Sequence, residues 1–289
     1  MNFSTTLPVG LYEKALPAGW SWDERLSAAA RAGYDFVEIS IDESDARLAR
    51  LDWSPQERAG LRSAIAGSGI PLLTMCLSAH RRYPVGSHSA EVRRRGADIF
   101  EKAIDLAGDL GIRIIQVGGY DVFYEPHDDG TASRFVDGLC RAARLAGRGG
   151  VMLALENVDV PLTASMAASL DVVAAVDSPW FQAYADMANL AAMGFDSPQQ
   201  LALAGNHLVA VHVKDGLPGV VRGVPFGQGI VPFAEVFAAL RDLHFCGPLT
   251  VEMWADLDQT GEPLATAAAA RDFVRRQITA AGLSVPATD

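Results

Sequence analysis

Four residues stand out because their chemistry differs from the apolar runs that hold them. Glu156 lies in "VMLALEN" (151–157), Asp186 in "FQAYADMAN" (181–189), His212 in "LVAVHVKD" (208–215) and Glu252 in "LTVEMW" (249–254). An ionised group in such a stretch is costly unless it is paired. Any one of them alone therefore reads as a salt-bridged or hydrogen-bonded core residue. Brought side by side, three carboxylates would repel one another, and a divalent cation removes that conflict. His212 is then the lone nitrogen ligand. Three carboxylates and one imidazole form an oxygen-rich set that suits one Mn²⁺ or Mg²⁺ ion, with Mn²⁺ preferred and Zn²⁺ or Co²⁺ as alternatives.

Such a set needs a scaffold that delivers one residue per element to a common place. The same unit recurs along the chain: a short apolar run, a turn, then a helical pattern. The other runs are "TTLPVGLYEK" (5–14), "YDFVEISID" (34–42), "IPLLTMCLSAH" (70–80) and "IRIIQVGGY" (112–120). The helical pattern "WDERLSAAARAGY" opens with Asp23 and Glu24 and stops at Gly33, and "SPQERAGLRSAIAGSG" opens on Ser-Pro and ends in glycine. Eight βα units predict an α/β chain folded as a (β/α)8 TIM barrel, with residues 1–289 as a single domain. A doubly wound sheet would require a glycine-rich first turn, which "LPVGLYEK" does not offer. In a barrel the chemistry sits at the carboxyl ends of the strands, and Glu156, Asp186, His212 and Glu252 fall at the ends of strands five to eight.

Bulk properties narrow the function. With 49% hydrophobic and 20% charged residues the chain can bury a sizeable core. A net charge of −11 leaves no basic face for nucleic acid or an anionic membrane. Cys76, Cys140 and Cys246 have neither the number nor the spacing of a disulfide framework or a thiolate zinc site. "MNFSTTLPVG" lacks a signal-peptide pattern, so a cytoplasmic protein is expected.

"GLYEKALP" (10–17), "FVEISIDESDARLARLDWS" (36–54), "LSAHRRYPVGS" (77–87), "DSPW" (177–180), "HVKD" (212–215), "RGVPFGQG" (222–229) and "VEMW" (251–254) together resemble the L-ribulose-5-phosphate 3-epimerases, a group of xylose isomerase-like TIM barrels. The resemblance covers nearly the whole chain. It implies interconversion of L-xylulose 5-phosphate and L-ribulose 5-phosphate, with metal ligation by Glu156, Asp186, His212 and Glu252. Related ketose epimerases often carry a histidine three residues after the metal aspartate, where this chain has Asn189; substrate contacts on that strand are therefore open. Epimerisation at C3 through a metal-bound cis-enediolate needs an acid/base group on each face, and Glu156 and Glu252 are the two candidates.

A phosphorylated substrate needs cations at the mouth of this acidic barrel. Lys14 ends strand one; His80, Arg81 and Arg82 follow strand three; Lys214 follows His212, and Arg222 lies in the loop after strand seven. Solvated pairing with neighbours such as Glu13 or Asp215 is the alternative for each. Gly227 and Gly229 could offer backbone N–H donors, and a tight loop turn explains them equally well. Glu38 contacts a sugar hydroxyl or pairs with Lys14 or Arg81. His88, His127, His207 and His244 have no partners at ligand spacing.

The expected partner is a small sugar phosphate, with no nucleic acid or membrane, and a homodimer is the expected assembly. An aldose–ketose isomerase of a phosphorylated sugar, such as a hexulose 6-phosphate, would use the same four residues. A metal-dependent endonuclease on this barrel would need more histidines than the six present and a basic groove. A non-catalytic sugar-phosphate sensor would be expected to lack one of the two glutamates.

Overall fold

The computed structural model describes residues 6–286; Thr5, in the first apolar run, lies outside them. Eight strands, β1 (Val9–Tyr12), β2 (Phe36–Ile41), β3 (Leu72–Leu77), β4 (Ile114–Gly118), β5 (Met152–Glu156), β6 (Phe181–Asp186), β7 (Leu208–Val213) and β10 (Leu249–Val251), close a barrel in the order β1-β10-β7-β6-β5-β4-β3-β2. Their residues are almost all buried, as expected for strands covered on both faces. Helices alternate with them: α1 (Trp22–Arg31), α2 (Asp45–Leu48), α3 (Pro55–Ser68), α4 (Ala90–Leu110), α5 (Thr131–Gly149), α6 (Met166–Val176), α7 (Met187–Ala192), α8 (Ser197–Ala204), α9 (Phe233–Asp242) and α10 (Pro263–Ala280). None of the helices among the described residues is long and apolar enough to cross a membrane.

Local chemistry sets the boundaries. Ser21 and Glu24 form a reciprocal capping box at the start of α1, and Ser54 and Glu57 exchange the same pair of bonds before α3. Gly111 and Gly150 end α4 and α5 in the left-handed conformation.

The contacts gather into two compact units. One runs through Glu38, includes Ser63–Pro71, and resumes from Tyr184 onward; the other comprises Ile39–Arg62 and Leu72–Ala183. In the first, β1 pairs in parallel with β2 and with β10, and β10 pairs with β7. That register sets Thr250 beside His212 and Tyr12 beside Glu38. In the second, β4 pairs with β3 and β5, and Gly118 stands beside Glu156.

Two local features differ from the sequence expectation. Lys14 belongs to a short 3₁₀ turn, Glu13–Ala15, beyond β1. Arg222 lies on a strand: β8 (Asp215–Leu217) and β9 (Val220–Val224) form an antiparallel hairpin. Its turn carries Pro218 and then Gly219 at φ 71°, the Pro-Gly order of a type II turn.

Candidate active site

The first unit carries a buried polar cluster at the ends of β6, β7 and β10. Asp186 closes β6 and caps α7: its Oδ1 accepts the backbone N–H of Ala188 at 2.9 Å and of Asn189 at 2.8 Å. Its Oδ2 lies 2.5 Å from Lys214 Nζ and 4.0 Å from His212 Nδ1. Lys214 Nζ also donates to Glu252 Oε2 at 2.6 Å. Burial alone would raise the Glu252 carboxyl, but the Lys214 ammonium, joined by His212 and Arg222, outweighs it and holds it well below the usual carboxylate range.

His212 is fixed from the opposite side. Its Nε2 is 2.7 Å from Glu38 Oε1, and both side chains are fully buried. An ionised carboxylate can only accept, so Nε2 donates this bond, and with a metal ion bound Nδ1 would turn its lone pair to the side of Asp186 and Glu252. Tyr184 holds Glu38 in turn, its hydroxyl 3.2 Å from Glu38 Oε2 and 3.1 Å from Thr250 Oγ1. A carboxylate behind a histidine is the usual way to orient a metal-binding imidazole. Glu38, expected to contact a sugar hydroxyl or to pair with Lys14 or Arg81, therefore sits behind His212.

In the second unit Glu156 ends β5, and its Oε2 accepts from Gln116 Nε2 at 2.5 Å. Gln116 was not singled out by sequence, though a glutamine inside "IRIIQVGG" is itself the signal. Glu156, Asp186, His212 and Glu252 each offer a ligand atom, and these atoms lie within 4.8 Å of one another; all four residues are buried. The donor set and the pre-oriented imidazole fit a divalent cation of the Mn²⁺ or Mg²⁺ type.

The expected cations have different surroundings. Arg222 is exposed and lies over the Trp254 ring at 5.1 Å, with Lys214 over the same ring at 5.7 Å. Arg222, Lys214, Trp254 and Glu252 line one cavity of about 600 Å³. Lys14 lies over Tyr12 at 5.8 Å, and Tyr12 meets Trp254 edge-on. Arg81 donates to the Tyr120 hydroxyl at 2.5 Å and lies over the rings of Tyr120 and Phe123. Arg82 is exposed and bonds Asp45 at 2.7 Å. Asn189 is buried in the first turn of α7. The N–H groups of Gly227 and Gly229 are already committed to Asp215.

His80 has the surroundings of a core histidine: Nε2 bonds the Gly96 carbonyl at 3.0 Å, and the ring stacks on Phe100. Burial pushes its imidazole from 6.5 down to about 4, the Gly96 bond opposing only in part. Between those values the unfolded chain binds a proton that the folded chain refuses, so stability is full above 6.5 and falls as pH drops toward 4. Urea unfolding at pH 7.5 and pH 5 is expected to show a contribution of about 2 kcal/mol lost over that interval. His80→Gln, which keeps a donor for Gly96, should flatten the slope by that amount. An unchanged slope would remove His80 as its source.

A family model of the xylose isomerase-like TIM barrel matches residues 26–277, and the chain belongs to that family. Its relatives are more specific. It is 49% identical to the L-ribulose-5-phosphate 3-epimerase UlaE of Salmonella paratyphi C (strain RKS4594), covering 97% of this chain and 98% of the relative. It is 48% identical, at the same coverage, to UlaE of Salmonella schwarzengrund (strain CVM19633). Among solved structures, D-psicose 3-epimerase in the presence of D-fructose superposes with a TM-score of 0.81 at 21% identity, covering 94% of this chain and 99% of the other. The D-psicose 3-epimerase of Clostridium cellulolyticum H10 with D-tagatose gives 0.80 at 20% identity, with coverages of 94% and 99%. These two likenesses speak for the fold, which is the barrel expected from the eight βα units.

Proposed function

We propose that this chain is a divalent-metal-dependent 3-epimerase that interconverts L-xylulose 5-phosphate and L-ribulose 5-phosphate. One observation carries the proposal: the buried convergence of Glu156, Asp186, His212 and Glu252, in a chain half identical to proteins named for that reaction. Those four residues would hold the ion. A bound divalent ion supplies positive charge that stabilises the enediolate as the proton beside the ketone leaves.

The chain's own residues do the rest. Glu252, kept ionised by Lys214, accepts the C3 proton from one face, and Glu156 delivers a proton to the other. In the reverse direction their roles exchange. Asp186 has one oxygen tied to the N-terminus of α7, and the other, now beside Lys214, would turn to the ion. His212, backed by Glu38, holds its tautomer throughout. Arg222, spread on Trp254 at the cavity wall, meets the substrate's phosphate.

The test is incubation of the purified protein with Mn²⁺ and L-xylulose 5-phosphate in deuterium oxide, followed by NMR. L-Ribulose 5-phosphate carrying deuterium at C3 is expected. An aldose product labelled at C2 would show the isomerase instead. No turnover of any pentulose phosphate by metal-loaded protein would overturn the proposal.

A further inference from the structure

Asp215 is a buried carboxylate that follows Lys214 in the chain, next to the cluster. Both of its oxygens are occupied by backbone. Oδ1 accepts from Gly216 at 2.9 Å and Val231 at 3.3 Å, and Oδ2 accepts from Gly227 at 2.8 Å and Gly229 at 2.9 Å. The Ile230 N–H donates to the Gly216 carbonyl at 2.9 Å, locking the same two strips of chain together. A Cβ at Gly229 would stand 2.1 Å from Asp215 Oδ1 and 2.3 Å from the Gly216 carbonyl, so only glycine permits this approach. The segment clasped in this way runs from the β8–β9 hairpin through "PFGQG". It carries Arg222, Phe226 and Gln228, three of the residues lining the cavity that also holds Lys214, Trp254 and Glu252.

We infer that Asp215 is a positioning residue: its carboxylate gathers four backbone N–H groups into a clasp that fixes the hairpin and so sets Arg222 against Trp254 for the substrate's phosphate. The inference rests on the proposed function for what Arg222 meets. Four N–H donors converging on one anion are difficult to satisfy otherwise, since each charge-assisted bond is about twice as strong as a neutral one. Arg222 itself is exposed and stacked on an indole, and the only ladder that holds its backbone among the described strands is the short β8–β9 hairpin. Asp215 ties that hairpin to the segment that follows it. Adjacent Lys214, bonded to Asp186 and Glu252, links the clasp to the cluster through one peptide unit.

The experiment compares wild type with D215N, R222A and the double variant, each loaded with Mn²⁺. Asn presents one carbonyl oxygen and an NH₂ where two anionic oxygens were, so the clasp opens with little change in volume. Amide hydrogen exchange in 216–231 should accelerate about tenfold or more in D215N, as a charge-assisted bond network is lost. KM for the phosphorylated pentulose should rise about tenfold with kcat changed less than twofold, the pattern of lost substrate binding. In R222A background, D215N should add little, because both changes remove the same contact. A purely structural Asp215 would lower kcat, KM and metal content together and would multiply the R222A effect in full; that result, or unchanged exchange in 216–231, overturns the inference. G229A, which crowds the carboxylate while leaving its charge, provides a second route should D215N fail to fold, and must reproduce the KM rise. Wild-type protein inert toward pentulose phosphates would sink the proposed function, while the exchange data would still judge the clasp.

Discussion

Exchanging Glu156 or Glu252 for glutamine is expected to lower kcat by about 10²-fold or more, because a positioned acid/base contributes roughly 10²–10⁴. Glutamine keeps the size and one ligand oxygen and removes the proton carrier. The two sites should accept it differently. Gln116 Nε2 faces Glu156, and its Oε1 has no hydrogen-bond partner. A rotated Gln116 amide can therefore satisfy a glutamine at 156. At 252 the change takes an anion away from Lys214, which has Asp186 as its other carboxylate. Thermal stability should thus fall more for Glu252→Gln than for Glu156→Gln. In deuterium oxide a variant that retains one base can exchange the C3 proton of the substrate whose hydrogen faces it without inverting the centre. Each variant should therefore exchange label into a different epimer. Measuring turnover, label and metal content on the same samples separates lost proton transfer from lost ion; wild-type turnover by both fully loaded variants would dispose of the two-base scheme.

The parts of the site that sequence displayed are those that interrupt a local pattern. Glu156, Asp186, His212 and Glu252 each break an apolar run at a strand end, and the barrel rule supplies their common location. What sequence could not display is the pairing of residues far apart in the chain. Glu38 also breaks an apolar strand, yet its partner His212 is 174 positions away, and nothing local separates a ligand-orienting carboxylate from a substrate contact. His80 shares a stretch with Arg81 and Arg82 and was grouped with them by charge. Only the packing on Phe100 and the Gly96 carbonyl separates it. Gly227 and Gly229 were legible as donors or as a turn; both descriptions were partial, since their N–H groups serve a carboxylate 12 and 14 residues earlier. The hairpin reads as a loop in the sequence, because the two short runs that flank Pro218-Gly219 resemble ordinary loop. Its strand β9 is largely exposed and so lacks the apolar marking of the barrel strands.

Removing divalent ions with a chelator should abolish turnover to within about 1% of the loaded enzyme, because charge stabilisation by a metal is worth several kcal/mol. Adding Mn²⁺ back should restore it at one ion per chain. His212→Ala deletes the nitrogen ligand, and Mn²⁺ titration calorimetry should then show little or no tight binding. Glu38→Gln is the more informative change. It leaves every ligand in place and alters only what stands behind the imidazole. A glutamine amide can rotate to donate toward Nε2, which would move the ring proton to Nδ1 and turn a donor toward the carboxylates. Mn²⁺ affinity should weaken by about 10–100-fold, the usual effect of losing such a partner. Because the defect lies in ion binding, excess Mn²⁺ should recover most of kcat in Glu38→Gln. A kcat that stays depressed at full metal occupancy would instead show that Glu38 acts on the sugar, the role a hydroxyl contact would have given it.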